Sequence, residues 1–224
     1  MDFGSLLETL DGEARRSIDV VRELPDETFG LPTRCPPWDV RVLIGHMVRD
    51  LDRVLTYIAD PAPEAAITDA VTYFQSYDPR GEGPRITAGS VEVAERYGTP
   101  AELVEGFDST LRRCLEEAAR ADPARTLGTR LTSIRLDEFM KTRILEMGVH
   151  GMDLAAALGR RPWLTPAAAS VVLSMLVGLL GEDPTSALGW SDLTFIETAT
   201  GRRPLTDAER SVLGDRADAF PLLG

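Results

Sequence analysis

The sequence predicts an all-α core: an antiparallel four-helix bundle followed by a small C-terminal appendage. Three observations carry that prediction. Apolar residues recur at three- and four-residue spacing in long segments divided by Pro- and Gly-containing breaks. Strand signals are weak throughout. The 224 residues are 43% hydrophobic, enough to bury one real core.

The elements follow in order. Between residues 5 and 24, Leu6, Leu10, Ala14, Ile18 and Val21 mark one helical face, which stops at "LPDE". A Pro-rich loop, "LPTRCPPW", leads to Asp39, a suitable N-cap for a second helix reaching about Ala59, where Asp60-Pro61 ends it. Residues 61–98, with three glycines and two prolines inside "YDPRGEGPRITAG", read as a long, partly mobile excursion. Thr99 as N-cap, Pro100 at N1 and Glu102 at N3 then form a capping box. Leu103, Phe107, Leu111, Cys114 and Ala118 line the face of the helix they open, which ends near Asp122-Pro123. The next helix runs over 136–158 and is stopped by Gly159 and Pro162; Thr165-Pro166 opens an apolar helix through Leu180. Residues 1–182 thus make the bundle and 183–224 the appendage. There "DLTFIETATGRRPLT" reads as a short strand or turn, giving the appendage an α/β character, before a brief helix capped by Thr206 with Glu209 three residues on.

Composition excludes several function classes. The net charge is −12, and every basic residue except Lys141 is an arginine, with no basic cluster, so nucleic acid is not an expected partner. The longest apolar segment, "AAASVVLSMLVGLLG", is shorter than the roughly 20 residues that cross a bilayer, so no membrane role is expected. Two cysteines, Cys35 and Cys114, are too few for a disulfide framework, and the start lacks an export signal, so the expected location is cytoplasmic.

The chemistry concentrates on few residues. The sequence has two histidines. His46 falls on the face of the second helix that carries Leu43, Met47, Asp50, Leu51 and Val54, pointing toward the core. His150 falls on a stripe with Phe139, Arg143, Glu146, Asp153 and Ala157, so polar groups interrupt a face that should be buried. A carboxylate there costs several kcal/mol unless it is paired or bound to metal. Glu146 and His150, at i and i+4 with Cβ atoms about 6 Å apart, can converge on a cation. The same spacing also serves a surface pair or a core histidine bonded to a neighbour. If His46 joins them, two imidazoles and one carboxylate suit zinc, with nickel, manganese or iron compatible, and leave a coordination position open.

The segments "TRCPPWDVRVLIGHMVRD" and "RILEMGVHGMDLAAALG" resemble the metal-binding N-terminal domain of mycothiol-dependent maleylpyruvate isomerases, within the DinB-like superfamily of four-helix bundles. The resemblance covers roughly residues 5–180 and rests on Cys35-Pro36 with Trp38, on His46, and on Arg143, Glu146, His150 and Asp153. It implies a metal triad of His46, Glu146 and His150, and a divalent metal, zinc first, that activates mycothiol or a similar low-molecular-weight thiol. The implied activity is isomerisation of, or S-transfer to, an electrophilic small molecule. Thiol and electrophile are then the partners, and a homodimer is left open. The competing reading is a bundle that binds metal or a small ligand without turnover, as a stress-response protein. Metal-assisted hydrolysis is a third, but no acid is marked as its general base. The prototype carries a larger α/β C-terminal domain, where this chain has about forty residues.

Further residues have assignable roles. Arg143, one turn before Glu146, is suited to orient that carboxylate or bind a substrate acid, and Asp50 to support His46 or join the ligands; these two are the candidate catalytic residues. Asp153 is suited to accept the imidazole N–H of His150 that does not face the metal, fixing its tautomer from the second shell of ligation. Cys35 reads as a buried apolar thiol in a packed turn, and Cys114 as core. Tyr73, Phe74, Tyr77 and Tyr97 either wall a substrate pocket or anchor the irregular segment. Arg202 and Arg203 read as solvent-facing.

Overall fold

A computed structural model describes residues 1–66 and 68–223. Four long helices make the bundle: α1 (Phe3–Arg22), α2 (Val40–Ala59), and, after the short α3 (Ala70–Gln75) and the longer α4 (Pro79–Glu95), α5 (Pro100–Arg120) and α6 (Leu136–Ala157). α1 and α2 each pack against both α5 and α6. A two-stranded antiparallel hairpin, β1 (Thr126–Gly128) with β2 (Ser133–Arg135), pairs Leu127 with Ile134 and leads directly into α6. α7 (Pro166–Leu180) covers α6, and the C-terminal segment adds α8 (Thr185–Leu188), α9 (Asp192–Ala199) and α10 (Asp207–Leu213). No helix among the described residues is long and apolar enough to cross a membrane.

The helix starts obey their caps. Asp39 accepts from the Val42 N–H, Thr99 with Glu102 and Thr206 with Glu209 complete capping boxes, and Thr165 accepts from the Ala168 N–H. Each satisfies an amide that the first helical turn leaves without a partner. The apolar stripes form the core: Leu6, Leu10, Ala14 and Ile18 of α1 meet Leu43, Met47 and Leu51 of α2 and Phe107 and Leu111 of α5 in one continuous cluster. A carboxylate is buried with them: Glu13 of α1 is 1% exposed and accepts from the Thr165 N–H at 2.7 Å, tying the start of α7 to the bundle.

Two expectations are overturned. Residues 61–98 are not an irregular excursion, because α3 and α4 occupy much of the segment. Of the glycines that suggest a loop, Gly89 is where α4 touches α2: a Cβ on it would lie 2.5 Å from Arg49 Nε, and one on Gly45 of α2 would lie 2.6 Å from the Ser90 carbonyl oxygen. Close helix approach, not chain reversal, requires small residues there. The stretch "DLTFIETATG" is likewise no strand. Ser191 caps it as α9, and Phe195, Ile196 and Ala199 are buried, with α9 packed on α7, so the appendage is helical among its described residues.

Candidate metal centre

α2 carries His46 and α6 carries Glu146 and His150, and the packing of these two helices brings the three side chains together. His46 Nε2 lies 3.5 Å and His150 Nε2 3.3 Å from Glu146 Oε2, and the three donor atoms all fall within 4.8 Å of one another. A tetrahedral ion with bonds of about 2.1 Å holds its ligand atoms about 3.4 Å apart, so the spacing fits a shared cation.

The opposite ring nitrogens are already engaged. His46 Nδ1 is 3.3 Å from Ser90 Oγ, whose own hydroxyl donates to the Ile86 carbonyl at 2.7 Å. The hydroxyl proton is therefore committed, and the Ser90 oxygen accepts from Nδ1–H, leaving the lone pair on Nε2. His150 Nδ1 is 3.0 Å from Asp153 Oδ2, which accepts in the same way. Two imidazoles thus offer Nε2 toward one carboxylate, each held from behind by a hydrogen-bond acceptor, the arrangement that orients metal-binding histidines.

Electrostatics around the triad is strongly coupled. Burial opposes ionisation of Glu146, yet the adjacent His150 and His46 rings and the charge of Arg143 hold its carboxyl well below the usual carboxylate range. Burial likewise disfavours a charged His150, but bonds to Asp153, Cys35 and Glu146 raise it well above the ordinary imidazole value.

Arg143 is 2% exposed; its guanidinium rests on the Phe139 ring, 4.5 Å from the centroid, and its Nη1 lies 2.9 Å from Asp50 Oδ2. Asp50 is itself buried, with Oδ2 3.5 Å from His46 Nε2. Arg143 and Asp50 therefore form a buried pair alongside the triad, with Arg143 also near enough to influence Glu146.

Asp153 is a junction of three segments. Its Oδ2 accepts from His150, from Cys35 Sγ at 3.1 Å and from Arg202 Nη2 at 2.6 Å; its Oδ1 accepts from Arg202 Nε at 3.0 Å and faces Arg34 Nε at 3.4 Å. Despite burial, these bonds hold its carboxyl far below the ordinary range. Arg202 is thus not solvent-facing as its sequence context suggests, since its side chain is only 14% exposed. Arg203 pairs with Glu209 at 2.6 Å within the C-terminal segment. Cys35 is not merely a buried apolar thiol: it is partly exposed and lines the cavity, while Cys114 is core. Cys35, His150 and Asp153 also cluster closely enough to ligate a metal. The Arg202 guanidinium against both Asp153 oxygens opposes a second positive charge there, so this cluster acts as a hydrogen-bond network.

The triad opens into a cavity of about 240 Å³. Trp38 forms one wall, its ring 4.8 Å from that of His46 and 6.1 Å from that of His150. Tyr73, Phe74 and Tyr77 form another, whereas Tyr97 packs against Gly106 and takes no part. Glu82 of α4 and Arg130 of the β1–β2 turn pair at the lining. Ser90 and the role of Arg34 escape sequence reasoning, and Arg202 is read there as solvent-facing. Ser90 sits in the stretch that reads as irregular, and neither arginine is set apart by periodicity or motif.

Two uncharacterised proteins of Mycobacterium tuberculosis, from strains CDC 1551 and H37Rv, are each 29% identical over 159 residues, which is 70% of this chain and 58% of theirs. The chain therefore spans less than two thirds of the length of these relatives. No solved structure matches it. The model of the mycothiol maleylpyruvate isomerase N-terminal domain matches residues 10–155, a span that contains His46, Glu146 and His150, and the chain belongs to that family.

Proposed function

We propose that this protein is a metal-dependent enzyme that activates a low-molecular-weight thiol of the mycothiol type for isomerisation of, or S-transfer to, an electrophilic small molecule. The observation that carries the reading is the convergence of two Nε2 atoms on the Glu146 carboxylate, with both Nδ1 atoms tied off behind. His46, Glu146 and His150 would hold the ion. A divalent cation there, zinc by the donor set, supplies the Lewis acidity that deprotonates a thiol whose free pKa is about 8.5.

The remaining residues do the positioning. Trp38, Tyr73 and Phe74 give the cavity apolar walls that exclude water and pack an unsaturated or aromatic substrate. Arg143 and Arg202 line the cavity too, but Asp50 and Asp153 already hold their charges. Arg53 is the least committed cation of the lining, with Asp50 3.8 Å away, and is available to orient an acidic group on the substrate. Asp50 keeps Arg143 oriented beside Glu146, and Asp153 keeps the His150 ring facing it.

Metal analysis with thiol titration tests the reading. Purified protein should hold about one divalent ion per chain, lose it in His46→Ala, show a changed cobalt(II) absorption spectrum when thiol is added, and consume activated alkenes or epoxides only with thiol present. A well-folded sample that binds no divalent metal near neutral pH would refute it. Bound metal without thiol-dependent turnover would favour the non-catalytic binding protein.

A further inference from the structure

A second site lies outside the cavity, on the α2–α4 face. Arg49 of α2 lays its guanidinium flat against the Cα of Gly89 in α4, where any side chain would overlap it: a Cβ would fall 2.5 Å from Nε and 2.9 Å from both Cζ and Nη2. In that bed Nη1 is buried and has no hydrogen-bond partner, and among the described residues no carboxylate comes within 4.0 Å of the group. A half-buried, uncompensated guanidinium is costly. Burial and the nearby charge of Arg53 both work against its protonated form.

Arg49 lines an open groove of about 470 Å³ together with Arg53, Arg85 and Arg96, against only Asp52 and Glu92. Of these, Glu92 is taken by Arg96 at 2.9 Å, and Arg85 is exposed and pairs with no described carboxylate. In a chain of net charge −12, four arginines against two carboxylates give this concavity a local excess of positive charge.

We infer that the groove between α2 and α4 is an oxyanion-binding site centred on Arg49, which takes a doubly charged group of the phosphate type. Arg49 supplies planar donors beside Gly89, and Arg53 and Arg85 supply the flanking charge. Arg53 lines both the groove and the cavity, whereas Arg49 and Arg85 line the groove alone and so separate this site from the metal centre.

Titration of the intact protein with inorganic phosphate, followed by amide and arginine side-chain NMR at low ionic strength, tests this. Saturable shifts should appear in residues 49–53 and 85–96, and His46→Ala should bind as the parent does. Arg49→Gln should weaken binding about tenfold, and exposed Arg85→Gln, which leaves the core untouched, should weaken it measurably. Gly89→Ala should act like Arg49→Gln, because it displaces the guanidinium while leaving the charge of the groove unchanged. Absence of saturable shifts, or affinity equal to the parent's in both Arg49→Gln and Gly89→Ala, would overturn the site. Loss of phosphate binding in His46→Ala would reassign the anion to the metal centre.

Discussion

Arg202 and Asp153 form a two-point ion pair: Nη2 meets Oδ2 at 2.6 Å and Nε meets Oδ1 at 3.0 Å, with Asp153 fully buried. The C-terminal segment thereby reaches into the bundle and holds the carboxylate that orients His150. Arg202→Met should destabilise the fold by about 3 kcal/mol, near the lower end for a broken buried pair, because Asp153 retains His150 and Arg34. It should also weaken metal binding by about tenfold, as loss of a ligand's supporting partner does. Urea denaturation and competition against a chelator read the two effects, and unchanged values in both would show that Arg202 is not part of the support.

Helix approach at the site can be tested by a pair of glycines. Gly45→Ala would force a Cβ to 2.6 Å from the Ser90 carbonyl oxygen, pushing α4 and the Ser90 hydroxyl away from His46. The expected cost is about 1–3 kcal/mol, together with reduced metal retention. Gly12, on an exposed turn of α1 with nothing within 4 Å of the added carbon, should respond oppositely, with Gly12→Ala gaining about 0.5–1 kcal/mol. Equal responses from the two would contradict the packing.

The two cysteines should separate by reactivity. Cys114 is fully buried and its thiol is pushed up to about 12, so it stays protonated and shielded. Cys35 faces the cavity. Iodoacetamide at mildly alkaline pH should give one adduct per folded chain, on Cys35, and two after denaturation, as read by peptide mass spectrometry. Labelling of Cys114 in the folded chain would mean that its helix opens.

Glu13 predicts a pH dependence of stability. Burial raises its carboxyl above the ordinary value, against the opposing bond from the Thr165 N–H. A group with a raised folded pKa contributes fully below the unfolded value, near 4.5, and that contribution is lost as pH climbs through the folded pKa. Glu13→Gln cannot ionise, so it should be more stable than the parent at neutral pH, and the difference should close below about pH 4. Chemical denaturation across that range decides it; a gap that widens on acidification has the wrong sign.

Most of the bundle was legible because its helices announce themselves twice, by an apolar stripe and by a cap. α5 has both, in Thr99-Pro100 with Glu102 and in the line from Leu103 to Ala118. α4 has a cap, Asp78 accepting from the Arg80 N–H, but no readable stripe: Gly81, Gly83, Pro84 and Gly89 look like breaks, and the apolar contribution of the helix is confined to residues such as Val93 and Ala94. Its helicity comes from packing on α2, which no local pattern encodes. The inward placement of His46, Glu146 and His150 followed from helical spacing, because buried polar groups on an apolar face stand out. Ser90 and Arg202 did not, since their roles depend on contacts 44 and 49 residues distant in the chain.

The three-way junction at Asp153 also bears on the order in which the protein comes together during synthesis. Both imidazoles and Glu146 leave the ribosome before Arg202 does, so a nascent bundle has its coordinating atoms well before the cation that secures one of them. On the proposed metal reading, full competence to retain an ion would arrive only as the final segment docks.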